Sequence, residues 1–411
     1  MNKTIFDVSE QIGSGITPLR SDKRYWASAD FPWIKTEQLG TYQISTANEY
    51  ISQVALQETS IKIWPPETVL LAMYGEGKTR GSASILMIPA TTNQACCNII
   101  VNPQKADYRF LYYWIKHNYE PLRNLATGVR KNLNSDDIKG FPFPDTDITT
   151  QKKTADVLSA LDDMIQNNTK ICCELESMAK TLYDYWFVQF DFPDENGRPY
   201  RTSGGAMEWN EQLKREIPKG WKASKVSNIM DIDNNSFDPR KKRDTIMEHY
   251  SIPAFDIDHA PAYEPASSID SGKYAIDAAC ILTSKLNPHF KRLWDPFCDT
   301  KNAICSTEFI VYRPKELWMR PYCYALLNSD AFYAHMVQKA ISSTGSRKRI
   351  QPDVSASFEF ALPDDDTIRA FVALYAPIIE KQKLLYKENR ELTKLRDWLL
   401  PMLMNGQAWV E

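Results

Sequence analysis

The chain has 411 residues, room for two to three domains at roughly 150 residues each, and 43% of them are hydrophobic, enough for packed cores. Forty-nine Lys and Arg against 52 Asp and Glu give a net charge of −3, which excludes a uniformly basic coat; any nucleic-acid contact has to come from local basic patches. No apolar run approaches the about 18 residues of a membrane span, and Met1-Asn2-Lys3-Thr4 opens no secretory apolar stretch, so a cytoplasmic protein without a membrane partner is expected.

In chain order, Phe6-Asp7-Val8 reads as a first strand, followed by β-rich stretches at Thr68 to Met73 and Ser84 to Ile88. Between them lies Ala72-Met73-Tyr74-Gly75-Glu76-Gly77-Lys78-Thr79. It nearly spells a phosphate-binding loop, but Ala72 stands where the first glycine belongs, and Arg80 to Pro89 reads as a turn and a strand rather than a helix. The preferred reading is a Gly-rich hairpin presenting Lys78 and Arg80 to a polyanion, with an ATP-binding enzyme built on Gly77-Lys78-Thr79 as the alternative. Arg109 to Glu120 is a helical run, and Thr127-Gly128-Val129-Arg130-Lys131-Asn132 is a basic loop.

From Leu158 the apolar positions step by three and four through Leu161, Ile165, Asn168, Cys172, Leu175, Ala179, Leu182 and Trp186, a coiled-coil seam. Residues 191–216 carry dense turn signals and read as a connector. In the second half, Arg240-Lys241-Lys242-Arg243 is a weak phosphate candidate; Ile281 to Thr283 and Glu308 to Tyr312 are strands, and Pro321 to Lys339 is one helical run. The last seam is Tyr375, Ile378, Gln382, Leu385, Asn389, Leu392, Arg396, Leu399 and Leu403, with Pro377 expected to kink or restart it and Pro401 to end it. Asn168, Gln382 and Asn389 are either paired inside the seam, fixing register, or placed on its edge.

The eight cysteines form no C-x-x-C spacing and read as small buried hydrophobes, and the five histidines never fall at i, i+4, so no metal is expected. No signature of amino-group methylation, serine hydrolysis, zinc proteolysis or nuclease action is present, and no catalytic residue is assigned.

The chain also repeats itself. Thr127 to Leu133 matches Thr344 to Ile350 at an offset of 217, and the same register pairs Asp136 with Asp353, Phe141 with Phe358, Asp147 with Asp364, Leu175 with Leu392 and Leu182 with Leu399. Each half is thus a mixed α/β globular unit followed by a long helix. Two such helices bury their stripes most simply against each other, as an antiparallel rod of roughly 50 to 60 Å. The expected layout is residues 1–145, a helix over 146–190, the connector, residues 217–363, and a helix over 364–411. Leu158, Leu161, Ile165, Leu175, Leu182, Ile378, Leu385, Leu392 and Leu399 are the expected packing positions.

A lone basic loop is ordinarily solvated, but this one recurs as Arg347-Lys348-Arg349 with Gln351 behind it. Arg reads guanine bidentately, Asn and Gln read adenine, and Lys neutralises phosphate.

With the tandem layout, Glu216-Ile217-Pro218-Lys219-Gly220-Trp221 leading into the second unit, the paired Thr-Gly-basic loops and the terminal Leu399-Leu400-Pro401-Met402, the chain resembles the specificity subunits of Type I restriction-modification systems. The resemblance implies a noncatalytic reader with two target recognition domains on double-stranded DNA, separated by the antiparallel two-helix spacer. It implies modification (methyltransferase) subunits and a restriction (motor and nuclease) subunit as partners. S-adenosylmethionine, ATP and magnesium would reside on those partners and no cofactor on this chain. The implied recognition residues are Tyr74, Lys78, Thr79, Arg80, Arg130, Lys131 and Asn132 in the first unit. In the second they are Lys285, Asn287, Lys291, Arg292, Arg347, Lys348, Arg349 and Gln351. A coiled-coil adaptor whose globular ends bind proteins is the remaining alternative.

Overall fold

The structure, a computed structural model, describes residues 3–75, 77, 79–126, 132–344 and 347–408, leaving aside the side chains of Asp258, residues 342–344 and Arg347. Contacts divide the chain into two compact units, Met1–Ile165 with Leu392–Glu411, and Gln166–Glu391.

The first unit is built on a five-stranded sheet in the order Ser9–Ser14, Cys96–Val101, Val69–Ala72, Ala83–Leu86, Gln43–Ile44. Its central strands read as continuous apolar runs because both faces are covered. Val69 and Leu71 join the cluster beneath the helix Tyr108–His117, while Leu70 points into a second cluster with Trp64 and Leu86. The same alternation buries both Cys96 and Cys97, one in each cluster. Asn98, fully buried on that strand, donates from its side-chain amide to the Gly13 carbonyl at 3.2 Å and to Thr92 Oγ1 at 2.9 Å. A three-stranded sheet, in the order Glu49–Ile51, Phe31–Ile34, Thr91–Thr92, completes the unit and includes one parallel pair.

The second unit repeats this topology. Its four-stranded sheet runs Met230–Ile232, Phe309–Pro314, Ile281–Ser284, Leu293–Trp294, the same chain order as the first four strands above. A second sheet again contains one parallel pair, Ile246–Tyr250 with Ala303–Ser306. The core is aromatic: Phe371, fully buried, meets Phe187 at 4.7 Å and Tyr375 at 4.9 Å between ring centroids. Burying a ring of this size contributes roughly 1.5–3 kcal/mol. Residues 191–221 are fastened against it. Asp191 accepts from the backbone and hydroxyl of Thr202 at 2.8 and 2.7 Å, and Trp221 stacks on Phe192 at 5.1 Å.

Two long helices run through Ile148–Tyr183, extended by a π-helical turn at Asp184–Val188, and through Asp365–Met404. In the first unit Leu158 is fully buried, Leu161 and Ile165 are half-buried, and Arg396 Nη1 donates to Asp162 at 2.5 Å. Leu392 and Leu399 are half-buried there. In the second unit Leu175, Leu182 and Ile378 are half-buried and Leu385 is buried. Within that unit Gln382 Nε2 donates to the Cys172 carbonyl at 3.0 Å, and Asn389 Nδ2 to Thr169 Oγ1 at 3.3 Å. Gln382 and Asn389 thus bond across the helix pair, and Asn168, like Gln382, is buried.

Several expectations are corrected. Ile5–Val8 is a helical turn rather than a strand, because Asp7 and Thr4 form a reciprocal cap, with the Thr4 backbone and hydroxyl donating to Asp7 at 2.9 and 2.8 Å. Pro321 to Lys339 is not one run but two helices, Arg320–Asn328 and Asp330–Lys339. Ser329 between them is extended and caps the second, accepting from the Phe332 N–H at 3.2 Å. The last helix does not restart at Pro377, and it runs on through Pro401 to Met404. Buried Phe371, Tyr375 and Ile379 hold the turns on either side of Pro377, whose ring is exposed, so tertiary packing outweighs the one lost hydrogen bond. Among the cysteines, Cys173 is exposed, since it neighbours buried Cys172 on a helix and faces outward.

Candidate nucleic-acid interface

In the first unit the Gly-rich segment closes the hairpin between Val69–Ala72 and Ala83–Leu86, which pair antiparallel. Gly75, Gly77 and Gly81 have φ of +139°, +58° and +86°, a backbone that side chains with a Cβ adopt at a cost. A Cβ on Gly81 would also stand 2.7 Å from Arg123 Cγ. Arg123 fixes the loop: its Nη2 donates to the Gly77 carbonyl at 2.7 Å, and its guanidinium lies 5.0 Å from the Tyr119 ring. The glycines therefore serve the turn. A phosphate loop needs a helix after it, and a strand is found there, so the ATP-binding alternative is not favoured.

Tyr74 is exposed, while Thr79 and Arg80 are half-buried on the same turn. Lys78, Arg130 and Lys131 lie outside the described residues. Asn132 is half-buried, and the adjoining Leu133 N–H donates to the Met73 carbonyl at 3.1 Å. The end of the basic loop is thereby tied to the base of the hairpin.

The second unit makes the same junction with different side chains. Asn287 occupies the left-handed region at φ +49°, which asparagine tolerates better than most residues. Its N–H donates to the Lys348 carbonyl at 2.7 Å, and its Oδ1 accepts from the Lys348 N–H at 3.0 Å. The Ile350 N–H adds a bond to the Lys285 carbonyl at 3.0 Å. Lys285 is half-buried; Lys348 and Gln351 are exposed. Arg347 lies in the strand Arg347–Arg349, and its side chain is outside the described set.

Three implied recognition residues are engaged within the protein. Arg349 makes a paired contact with Glu308 at 3.1 and 2.8 Å, and Arg292 a paired contact with Asp256 at 2.7 and 2.9 Å. Lys291 donates to the Asn328 carbonyl at 2.5 Å. Arg240, in the weaker candidate run, is bound to Asp238. Two residues passed over in the sequence matter here. Arg123 carried no signal, because its role depends on a contact 46 residues away. Phe290, exposed and 5.2 Å from the Arg292 guanidinium, did carry one, as an aromatic among cations.

The shared architecture defines a class: two units of one topology, each joining a post-strand turn to a basic loop. Residues 1–177 match the family described as Type I restriction modification DNA specificity domain. Over 425 residues the chain is 28% identical to the Type I restriction enzyme MjaIX specificity subunit of Methanocaldococcus jannaschii, covering 100% of this chain and 93% of that one. It is 23% identical to the EcoR124I/EcoR124II specificity subunit of Escherichia coli over 46% of this chain and 48% of the relative. Its fold is similar to that of the Type I restriction-modification system S subunit from M. genitalium, with a TM-score of 0.60 at 15% identity over 98% and 95% of the two chains. Residues 1–177 are thus similar to a Type I DNA specificity domain, and the likeness to the MjaIX specificity subunit runs along the full length of the chain. Among the described residues, no helix is long and apolar enough to cross a membrane.

Proposed function

We propose that each unit reads one half of a bipartite double-stranded DNA target, with the helix pair setting the unread spacing between the halves. The observation that carries this reading is the junction found in both units, where the turn after a central strand is bonded to the basic loop. Tyr74, Thr79, Arg80 and Asn132 are the first unit's reading set, with Lys78, Arg130 and Lys131 beside them in sequence. Lys285, Lys348 and Gln351 form the second unit's set with Arg347, while Asn287 shapes the loop. A few base contacts worth about 1–3 kcal/mol each give one unit limited discrimination, which favours two units acting together.

The helices also dock modification subunits. Large apolar side chains exposed on them favour this: Met164, Leu395 and Trp398 in the first unit, Met178, Leu374 and Leu384 in the second. Those partners bring S-adenosylmethionine and methylate adenine, and a restriction subunit brings ATP and magnesium, in the cytoplasm. The chain itself performs no catalysis. The test is to map methylated adenines in cells carrying the full chain with its modification subunits. Lys348→Ala with Gln351→Ala should relax one half of the target and leave the other half intact; an unaltered methylation pattern refutes the assignment.

A further inference from the structure

The turn that joins Ile281–Ser284 to Leu293–Trp294 in the second unit presents an apolar side chain for which the polar reading set has no use. Phe290 is 55% exposed there, on a backbone that is fixed at several points. The Ser284 N–H donates to the Arg292 carbonyl at 3.0 Å and closes the turn, and the Phe290 N–H donates to the Asn287 carbonyl at 2.9 Å. Asn287 is in turn bonded to Lys348 through both its backbone and its side chain. The ring is therefore carried beside the basic loop. The corresponding turn of the first unit also carries an aromatic, Tyr74, at 40% exposure.

Two neighbours limit what this ring can do. The Arg292 guanidinium lies over it at 5.2 Å, held in place by its paired contact with Asp256, and the His289 ring is 4.2 Å away between centroids at a tilt of 44°. An aromatic wedge between base pairs needs both faces open to the bases on either side. A guanidinium already covers one face of Phe290, so the ring offers its edge. In the major groove the base pairs present hydrogen-bond donors and acceptors and one apolar substituent, the thymine 5-methyl group. An apolar edge set against a donor or acceptor strips its water and returns no bond, whereas against a methyl both surfaces leave water favourably.

We propose that Phe290 is a specificity-determining residue that contacts the 5-methyl group of a thymine in the half-site read by the second unit. The assignment rests on the DNA reading proposed above and adds to it one base and the group recognised. It is tested with the full chain assembled with its modification subunits, on a duplex carrying the target mapped by methylation. Each thymine in the half-site relaxed by Lys348→Ala with Gln351→Ala is replaced singly by deoxyuridine, which removes the methyl and keeps every hydrogen-bonding group. In competition binding, one such replacement should weaken the wild-type complex about fourfold, the equivalent of roughly 0.8 kcal/mol for one buried methyl. Phe290→Ala should bind the thymine and deoxyuridine duplexes equally, and the wild-type comparison stands even where that variant fails to assemble. A half-site without an A·T pair, no loss at any deoxyuridine, or the same loss retained in Phe290→Ala overturns the proposal. So does a Phe290→Ala complex weakened on both duplexes with the fourfold difference intact, which marks a stacking contact instead. All four outcomes leave the half-site reading standing, since that reading falls only if Lys348→Ala with Gln351→Ala leaves the methylation pattern unaltered.

Discussion

Replacing Arg396 with Met removes the charged partner of a carboxylate inside the first unit. Asp162 is 3% exposed and accepts from Tyr113 Oη at 2.7 Å and from Arg396 Nη1 at 2.5 Å. Unit charges about 4 Å apart attract by roughly 4 kcal/mol at an effective dielectric of 20, an attraction that offsets their desolvation. Breaking such a buried pair on one side costs about 3–5 kcal/mol, because the remaining charge is stranded. Tyr113 still donates to Asp162, and Arg396 is also bound to Asp397, so the lower end, about 3 kcal/mol, is expected. Asp162→Asn added to Arg396→Met removes the stranded charge and should recover about 1–2 kcal/mol. Urea unfolding followed by tryptophan fluorescence measures both, with the two units' transitions fitted separately, since a two-unit chain is not bound to unfold in one step. At a slope of about 2 kcal/mol/M the single variant shifts the first unit's midpoint by roughly 1.5 M. Effects of the two substitutions that add to within about 0.5 kcal/mol would refute the pairing.

Gly81→Ala forces a Cβ into the left-handed region and against Arg123, costing the first unit about 1–2 kcal/mol in urea unfolding; an unchanged midpoint would contradict the turn geometry. Asn287→Ala should speed amide exchange at Lys348 and Ile350, since the Oδ1 contact and the tolerated backbone conformation are both lost. Pro377→Ala should stabilise the second unit by up to about 3 kcal/mol, by restoring a helical hydrogen bond at an exposed position, whereas a true break there would yield no gain. His249 is held below its ordinary pKa chiefly by burial, partly opposed by its bond to Glu264. The unfolded chain therefore takes up the proton first, so stability is present above about pH 6.5 and declines as pH falls through the folded value. His249→Gln should flatten that decline in a pH series of melting temperatures.

The repeat at offset 217, the two long amphipathic helices and the apolar strand at Val69 were legible in the sequence because periodicity and turn chemistry are local properties. So was the failure of the Gly-rich segment as a phosphate loop, since the strand character of Ser84 to Ile88 is written in its own residues. Tertiary structure decided the rest. Whether a basic side chain is available to DNA depends on which carboxylate folds beside it: Arg349 and Arg292 meet Glu308 and Asp256 at separations of 41 and 36 residues, while Lys348 stays exposed. The unbroken helix through Pro377 is likewise settled by packing around Phe371 and Tyr375, a sum of contacts that no single residue's propensity contains.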